Sequence, residues 1–173
     1  MKKVLLVLAS VLMCGFASAT TISNNDWKFE PTVGPVIGIH NWGNQFGMNF
    51  KIGKGDNLSG LFGVAFGGLN NAQIKLGASY DFPFYFTFSK ANDFSVGPTV
   101  DAGIRFGFGK ITAIDFFNLG FGCRTSYQIT NTFGVVADLA HFSTSFVGWV
   151  KGNGVDANFA MAYDMQFGVF LLF

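Results

Sequence analysis

The last sixteen residues alternate almost without exception between two kinds of side chain, and no other feature restricts the fold of this chain as much. Phe159, Met161, Tyr163, Met165, Phe167, Val169, Leu171 and Phe173 form one set. Asn158, Ala160, Ala162, Asp164, Gln166, Gly168, Phe170 and Leu172 form the other. A period of two sends the sets to opposite faces of a β-strand, whereas a helix would scatter both around its axis. One face is bulky and apolar; the other is mostly small or polar.

The same alternation recurs upstream, over 27–40, 45–52, 58–67, 73–89, 94–108, 117–129 and 133–141. Turn-forming runs separate these segments, among them Gly53-Lys54-Gly55-Asp56-Asn57, Asn70-Asn71, Thr130-Asn131-Thr132 and Lys151-Gly152-Asn153-Gly154. Eight alternating segments and short turns predict an all-β protein, an eight-stranded antiparallel up-and-down transmembrane β-barrel. Pro35 and Pro98, in the recurring Val33-Gly34-Pro35 and Val96-Gly97-Pro98, are expected to mark bulges or strand ends, because proline has no N–H for the ladder.

Volume decides which face points inward. The chain carries 23 Phe and 23 Gly and only 12% charged residues. An eight-stranded barrel has an interior just wide enough for side chains, so eight strands' worth of Phe, Leu and Met cannot all enter it. The glycines, alanines, serines and few charges can. The aromatic set is therefore expected to face lipid, and closure leaves no open edge there.

The N-terminus agrees with export. Lys2 and Lys3 precede an apolar run from Val4 to Met13, followed by Ala17-Ser18-Ala19, which reads as a signal peptide over 1–19 with cleavage near Ala19 and a barrel domain over 20–173. Without Lys2 and Lys3, nine basic residues remain against ten acidic ones, a balance that points to no nucleic-acid partner. Cys14 departs with the leader, so Cys123 has no partner for an internal disulfide. An even strand count puts both termini on the periplasmic side with the turns at Lys54, Asn92 and Asn131. The turns near Gly43, Asn70, Gly109 and Gly152 then face outward.

Two groups of residues could carry chemistry. Asp81, Asp101, Arg105, Arg124, Asp138, Asp164 and Gln166 fall on inward faces, most of them near mid-height. A turn centred on Asn131 puts Arg124 opposite Asp138. Buried charges require partners, so this polar belt reads as an interlocking plug of the lumen, with an ion or proton path as the functional alternative. The second group is His141, Ser143 and Asp156, near the outer ends of the last two segments. By simple alternation His141 and Ser143 share the lipid-facing parity, and hydroxyl, imidazole and carboxylate are the parts of an acyl-transfer triad. No metal-ligand cluster, cofactor motif or phosphate-binding glycine loop is visible.

His141-Phe142-Ser143 and the following Asp156 resemble the His-x-Ser pair and acidic residue of PagL-type lipid A deacylases. The family has Glu where this chain has Asp156, and Asn where it has Thr144. Over the whole mature length, the alternation, the turns and the terminal Phe173 resemble small outer-membrane barrels of the OmpA/OmpX type. That resemblance implies an outer-membrane location, contact with lipid and lipopolysaccharide, a monomer, and an envelope structural or surface-interaction role. It also implies that Met165, Phe167, Val169, Leu171 and Phe173 are the signal read by the barrel-assembly machinery. A lipid A deacylase and a narrow channel are the alternative functions.

Overall fold

Among the described residues, eleven strands form one sheet that closes on itself: β1 (Trp27–His40), β2 (Gln45–Lys54), β3 (Leu58–Gly67), β4 (Ala72–Asp81), β5 (Phe84–Ser89), β6 (Asn92–Phe108), β7 (Ala113–Thr130), β8 (Phe133–Ser145), β9 (Gly148–Val150), β10 (Gly154–Asp156) and β11 (Ala160–Leu172). The computed structural model describes residues 26–40, 43–55, 57–68, 72–89, 92–109, 112–146, 148–152, 154–156 and 159–173, and for 40, 87–89, 92, 155 and 156 the backbone only. The proposed leader, the Asn70-Asn71 turn and the side chain of Asp156 lie outside the described residues.

Every barrel strand runs antiparallel to its neighbours, and β1 pairs with β11 to close the ring. At the seam Trp27 and Phe173 exchange both backbone hydrogen bonds, at 2.8 and 3.0 Å. β4 and β5 are two lengths of one barrel strand, both paired to β6 in the same register. The result is a closed eight-stranded antiparallel barrel, with β9 and β10 as a small hairpin added to the start of β7.

The expected partition of side chains holds around the ring. Along β2 and β3 the inward Gln45, Gly47, Lys51, Gly53, Ser59, Leu61 and Gly63 are buried, while Phe46, Met48, Ile52, Leu58 and Phe62 between them are exposed. Phe46, Phe66, Phe117 and Phe121 are each more than half exposed on the outer surface, while Lys28, Glu30, Lys51, Asp81, Arg105 and Arg124 are buried inside. One small apolar cluster is at the end that carries the termini, where Val136, Phe170 and Leu172 pack and the Lys28 ammonium rests 5.0 Å from the Phe170 ring centre, and a second, Ala160 and Ala162 with Val36, lies toward the other end.

Beside shifts near strand ends at Gly38-His40, Thr87-Ser89 and Gln128-Thr130, three irregularities bear on which side chains face inward. The stretch 73–89, read as one strand, breaks at Phe82-Pro83. β7 carries an extra residue at Phe116-Phe117, since Gly103 faces Asn118 but Arg105 faces Asp115. β8 carries one at Leu139-Ala140, since Cys123 faces Ala140 but Arg124 faces Asp138. β11 registers the same shift from the other side, with Asp164 opposite His141 and Gln166 opposite Asp138. A bulge of this kind inserts one unpaired residue and reverses the sidedness of everything beyond it.

The two prolines mark neither strand ends nor bulges of their own strands, contrary to the sequence expectation. Pro35 is inside β1 and Pro98 inside β6. Phe82 N–H donates to the Pro98 carbonyl at 2.9 Å, but Pro98 has no N–H to return the bond. The Phe82 carbonyl instead leans over Gly97, where a Cβ would overlap it. Pro35 faces Met165, whose carbonyl lies over Gly34 in the same way. The repeated Val-Gly-Pro therefore gives one local arrangement twice: a proline with no N–H for the ladder beside a glycine that lets the facing carbonyl approach, as Gly77 and Gly103 also do without a proline.

Candidate functional site

The lumen holds the chemistry of this protein, and inward-pointing positions on all the long strands supply it. Arg124 on β7 stands directly opposite Asp138 on β8 and donates to it from Nη1 at 2.9 and 3.2 Å, the pair the turn register requires. From there the guanidinium crosses the interior. It forms ion pairs with Glu30 on β1 and, through Nε at 3.3 Å, with Asp81 on β4. Lys28 reaches Glu30 at 3.0 Å and Lys51 reaches Asp81 at 3.3 Å. Three cations and three carboxylates thus interlock in a low-dielectric interior, where each would be costly alone.

A second cluster lies nearer the end away from the termini. His141 Nδ1 is 2.9 Å from Asp164 Oδ2, and its Nε2 is 2.6 Å from Asp101 Oδ2. Lys75 pairs with Asp101 from the far side, and Ser143 Oγ donates to Asp164 at 3.5 Å. Both ring nitrogens of His141 meet carboxylate oxygens, and only a doubly protonated imidazole can donate through both. Asp101 belongs to β6 and His141 to β8, with β7 between them. The contact exists because Gly120, on the intervening strand, has no side chain: a Cβ there would fall 2.6 Å from the His141 ring. Higher still, Arg105 donates to Asp115 through Nε at 2.8 Å and through Nη2.

The placement of the second candidate group corrects the sequence reading. His141 and Ser143 are buried in the lumen, not on the outer face. The physical reason is the Leu139-Ala140 bulge, which brings Asp138 and His141 to the same side of β8 although three positions separate them. The Leu139 carbonyl displaced by the bulge accepts a hydrogen bond from Tyr163 Oη at 2.8 Å on the outside. Among the described residues, Ser143 hydrogen-bonds to Asp164 and the His141 ring to two carboxylates, so no serine–imidazole pair forms.

All seven residues of the expected belt face inward and are buried: Asp81, Asp101, Arg105, Arg124, Asp138, Asp164 and Gln166. Gln166 accepts from Thr32 Oγ1 at 2.9 Å. Met165, Phe167, Val169, Leu171 and Phe173 line the outer face of β11, with Phe173 the most exposed of the large apolar residues. Sequence reasoning left Lys28, Glu30, Lys51, Lys75 and Asp115 out of the belt. The first four carry the parity of the inward glycines, which is the signal that places them. Asp115 carries the opposite parity and is turned inward by the Phe116-Phe117 bulge.

Two cavities flank the charged belt. One of about 60 Å³ occupies the half of the lumen away from the termini, between Gln45, Asn49, Gln73, Lys75, Asn118 and Asp164. The other, about 10 Å³, lies below Arg124 and Asp81 beside Ser95.

No protein-family model matches the chain, and no curated protein matches it. Among solved structures it is similar to Neisserial surface protein A, with a TM-score of 0.49 and 16% identity over 87% of this chain and 98% of that one. It is also similar to the N-terminal β-barrel domain of Pseudomonas aeruginosa OprF, with a TM-score of 0.42 and 12% identity over 84% of this chain and 97% of that domain.

Proposed function

We propose that the protein is an integral outer-membrane β-barrel whose lumen is closed by its own side chains, serving the cell envelope as a structural or surface-interaction component. The observation that carries this reading is the inverted partition: large apolar side chains cover the outer surface of every strand while the charges are inside. In water such a surface would be an aggregation hazard; in a bilayer it is the required one. Aromatic residues favour the two ends, with Phe46, Phe66, Phe108, Phe146 and Phe159 at one and Trp27, Phe82 and Phe173 at the other. Such girdles match the two interfaces of a membrane. Closure by β1 and β11 leaves no barrel edge for lipid to satisfy.

A plugged lumen is supported by Arg124, which contacts β1, β4 and β8 at once and leaves no free guanidinium in the middle of the barrel. Lipid and lipopolysaccharide are then the surroundings, the barrel-assembly machinery the partner during biogenesis, and the monomer the working unit. Purified protein should migrate faster on gels unboiled than boiled, fractionate with the outer membrane, and show no steady conductance in planar bilayers. Solubility without detergent together with identical migration would overturn the membrane reading. Steady conductance above background would overturn the closed lumen and favour the narrow channel.

A further inference from the structure

The ionic groups of the lumen reach charge balance in different ways. Around Arg124 three permanent cations meet three carboxylates, and Arg105 meets Asp115 one for one. The cluster between them does not close so simply, because Asp101 and Asp164 are two carboxylates against the single ammonium of Lys75. A proton on His141 supplies the missing charge, since its Nε2 and Nδ1 lie 2.6 and 2.9 Å from the two carboxylates. Asp101 on β6 and Asp164 on β11 face the ring, Lys75 on β4 stands behind Asp101, and Asp138 on β8 itself and Lys51 on β2 lie farther off. β7 contributes Gly120 and Gly122, which leave the space the ring fills. The two carboxylates differ in their surroundings. Asp101 is held by Lys75 on its other oxygen, whereas Asp164 lines the larger cavity with Ser143, Asn49 and Gln166, about 60 Å³ of polar space on the scale of water.

We propose that His141 is a proton-operated latch between β6, β8 and β11, which pins the Leu139-Ala140 bulge while the ring is charged and releases Asp164 when it is neutral. A charged imidazole donates through both nitrogens; a neutral one donates through one and turns a lone pair toward the other carboxylate. The latch is therefore closed on the acid side of the ring's titration and opens as pH rises through it. Asp164 is the partner let go, because it can be solvated through the cavity it lines. Asp101 does not line that cavity, and it keeps the Nε2–H of the ring together with Lys75. Asp164 also stands directly opposite His141 in the ladder, with the register shift between Asp164 and Gln166. Loss of this side-chain tie loosens the backbone where β8 holds its extra residue, so the half of the lumen away from the termini is the pH-responsive half. The device uses the barrel interior alone, so it stands or falls apart from the membrane reading.

The test is NMR of the refolded protein in zwitterionic micelles with ring ¹⁵N-labelled histidine, from about pH 5 to about pH 10, an interval that brackets histidine titration in folded proteins. The chain has two histidines, so His40→Gln leaves the His141 ring as the only signal. Below the transition both ring nitrogens should carry protons; above it Nδ1 alone should be bare. Across the same interval the His141 and Asp164 amides, corrected for base catalysis, should exchange about tenfold faster or more, while those of Glu30 and Lys51 in the Arg124 cluster keep their rates. His141→Gln, which cannot carry the charge, should keep heat-modifiable migration and exchange at the faster rate throughout, with no pH step. If this variant does not refold, the ring and exchange profiles of the parent decide alone. A ring already neutral at the acid end or still charged at the alkaline end, a bare Nε2 in place of Nδ1, unchanged exchange through the ring's titration, or a pH step that survives in His141→Gln would overturn the proposal.

Discussion

His141 and Asp101 are hydrogen-bonded at 2.6 Å although a whole strand lies between theirs, and Gly120 on that strand is what allows them to meet. Most lumen contacts in a barrel join neighbouring strands; this one steps over β7. It ties β6 to β8 and, through Asp164, to β11, so with Lys75 on β4 four strands contribute to one polar cluster while β7 passes among them carrying only Gly120.

A methyl group at position 120 should break that tie. Gly120→Ala is expected to lower unfolding free energy in micelles by about 2–3 kcal/mol, the range for stranding a buried charged hydrogen bond. Gly60→Ala is the control, since its Cβ would meet nothing closer than 3.6 Å, and it should stay within about 0.5 kcal/mol of the parent. Urea titration followed by the boiled and unboiled gel bands reads both. Equal stabilities for the two variants would contradict the geometry.

Arg124 holds three carboxylates at once, so its loss should exceed that of an ordinary ion pair. Arg124→Met is expected to cost about 3–5 kcal/mol by leaving Asp138 without its cation and Glu30 and Asp81 with only Lys28 and Lys51. Adding Glu30→Gln to that variant removes one stranded charge and should restore about 1 kcal/mol or more, a coupling that a double-mutant cycle measures. Strict additivity would mean the cross-lumen pair contributes nothing.

The two Val-Gly-Pro devices make matched predictions. Gly34→Ala and Gly97→Ala each push a methyl into a backbone carbonyl, that of Met165 in one case and Phe82 in the other. Backbone cannot rotate away as a side chain can, so both variants should lose about 2 kcal/mol or more and refold poorly. Refolding yield from urea into micelles is the readout.

The two faces of β11 should respond differently. Phe167 is 49% exposed on the outside, and Asp164 is buried beside His141. Under the membrane reading, Phe167→Lys costs about 2–4 kcal/mol if the position is near the bilayer midplane, and should reduce outer-membrane accumulation. Asp164→Asn should accumulate normally and disturb only the lumen. Comparable yields for both variants would count against the assignment of faces.

How far the sequence could be read depends on how far its alternation ran unbroken. Trp27 to Val36 and Gln45 to Lys54 have no irregularity in their mutual pairing, and there parity alone sorts the side chains. The Arg124–Asp138 pair was legible because the Thr130-Asn131-Thr132 turn fixes a local register and both residues precede the bulge. Beyond Leu139 the same rule gives the wrong side for His141 and Ser143. Nothing in Asp138-Leu139-Ala140-His141 declares a bulge, since no glycine or proline is there. The bulge satisfies a global demand, matching β8 to β7 and β11 together while keeping the polar residues inside. The break at Pro83 was more accessible: a proline in an otherwise regular run, beside a second proline across the ladder, was a sufficient sign.

The Leu139-Ala140 bulge also bears on how such a chain can change. A strand with two faces behaves as a text read in frames of two, and the single inserted residue is a frameshift. Upstream of it Asp138 is in the inner frame; downstream the frame is reset so that His141, Ser143 and Ser145 are inner as well. Deleting one residue there would alter no side chain's chemistry, yet it would exchange inner for outer over the rest of β8. An imidazole and two hydroxyls would move to the oily side, and Phe142 would move into a lumen with no room for it. Substitutions at single sites can be absorbed one by one, whereas a change of length at this point transposes every later residue of the strand together.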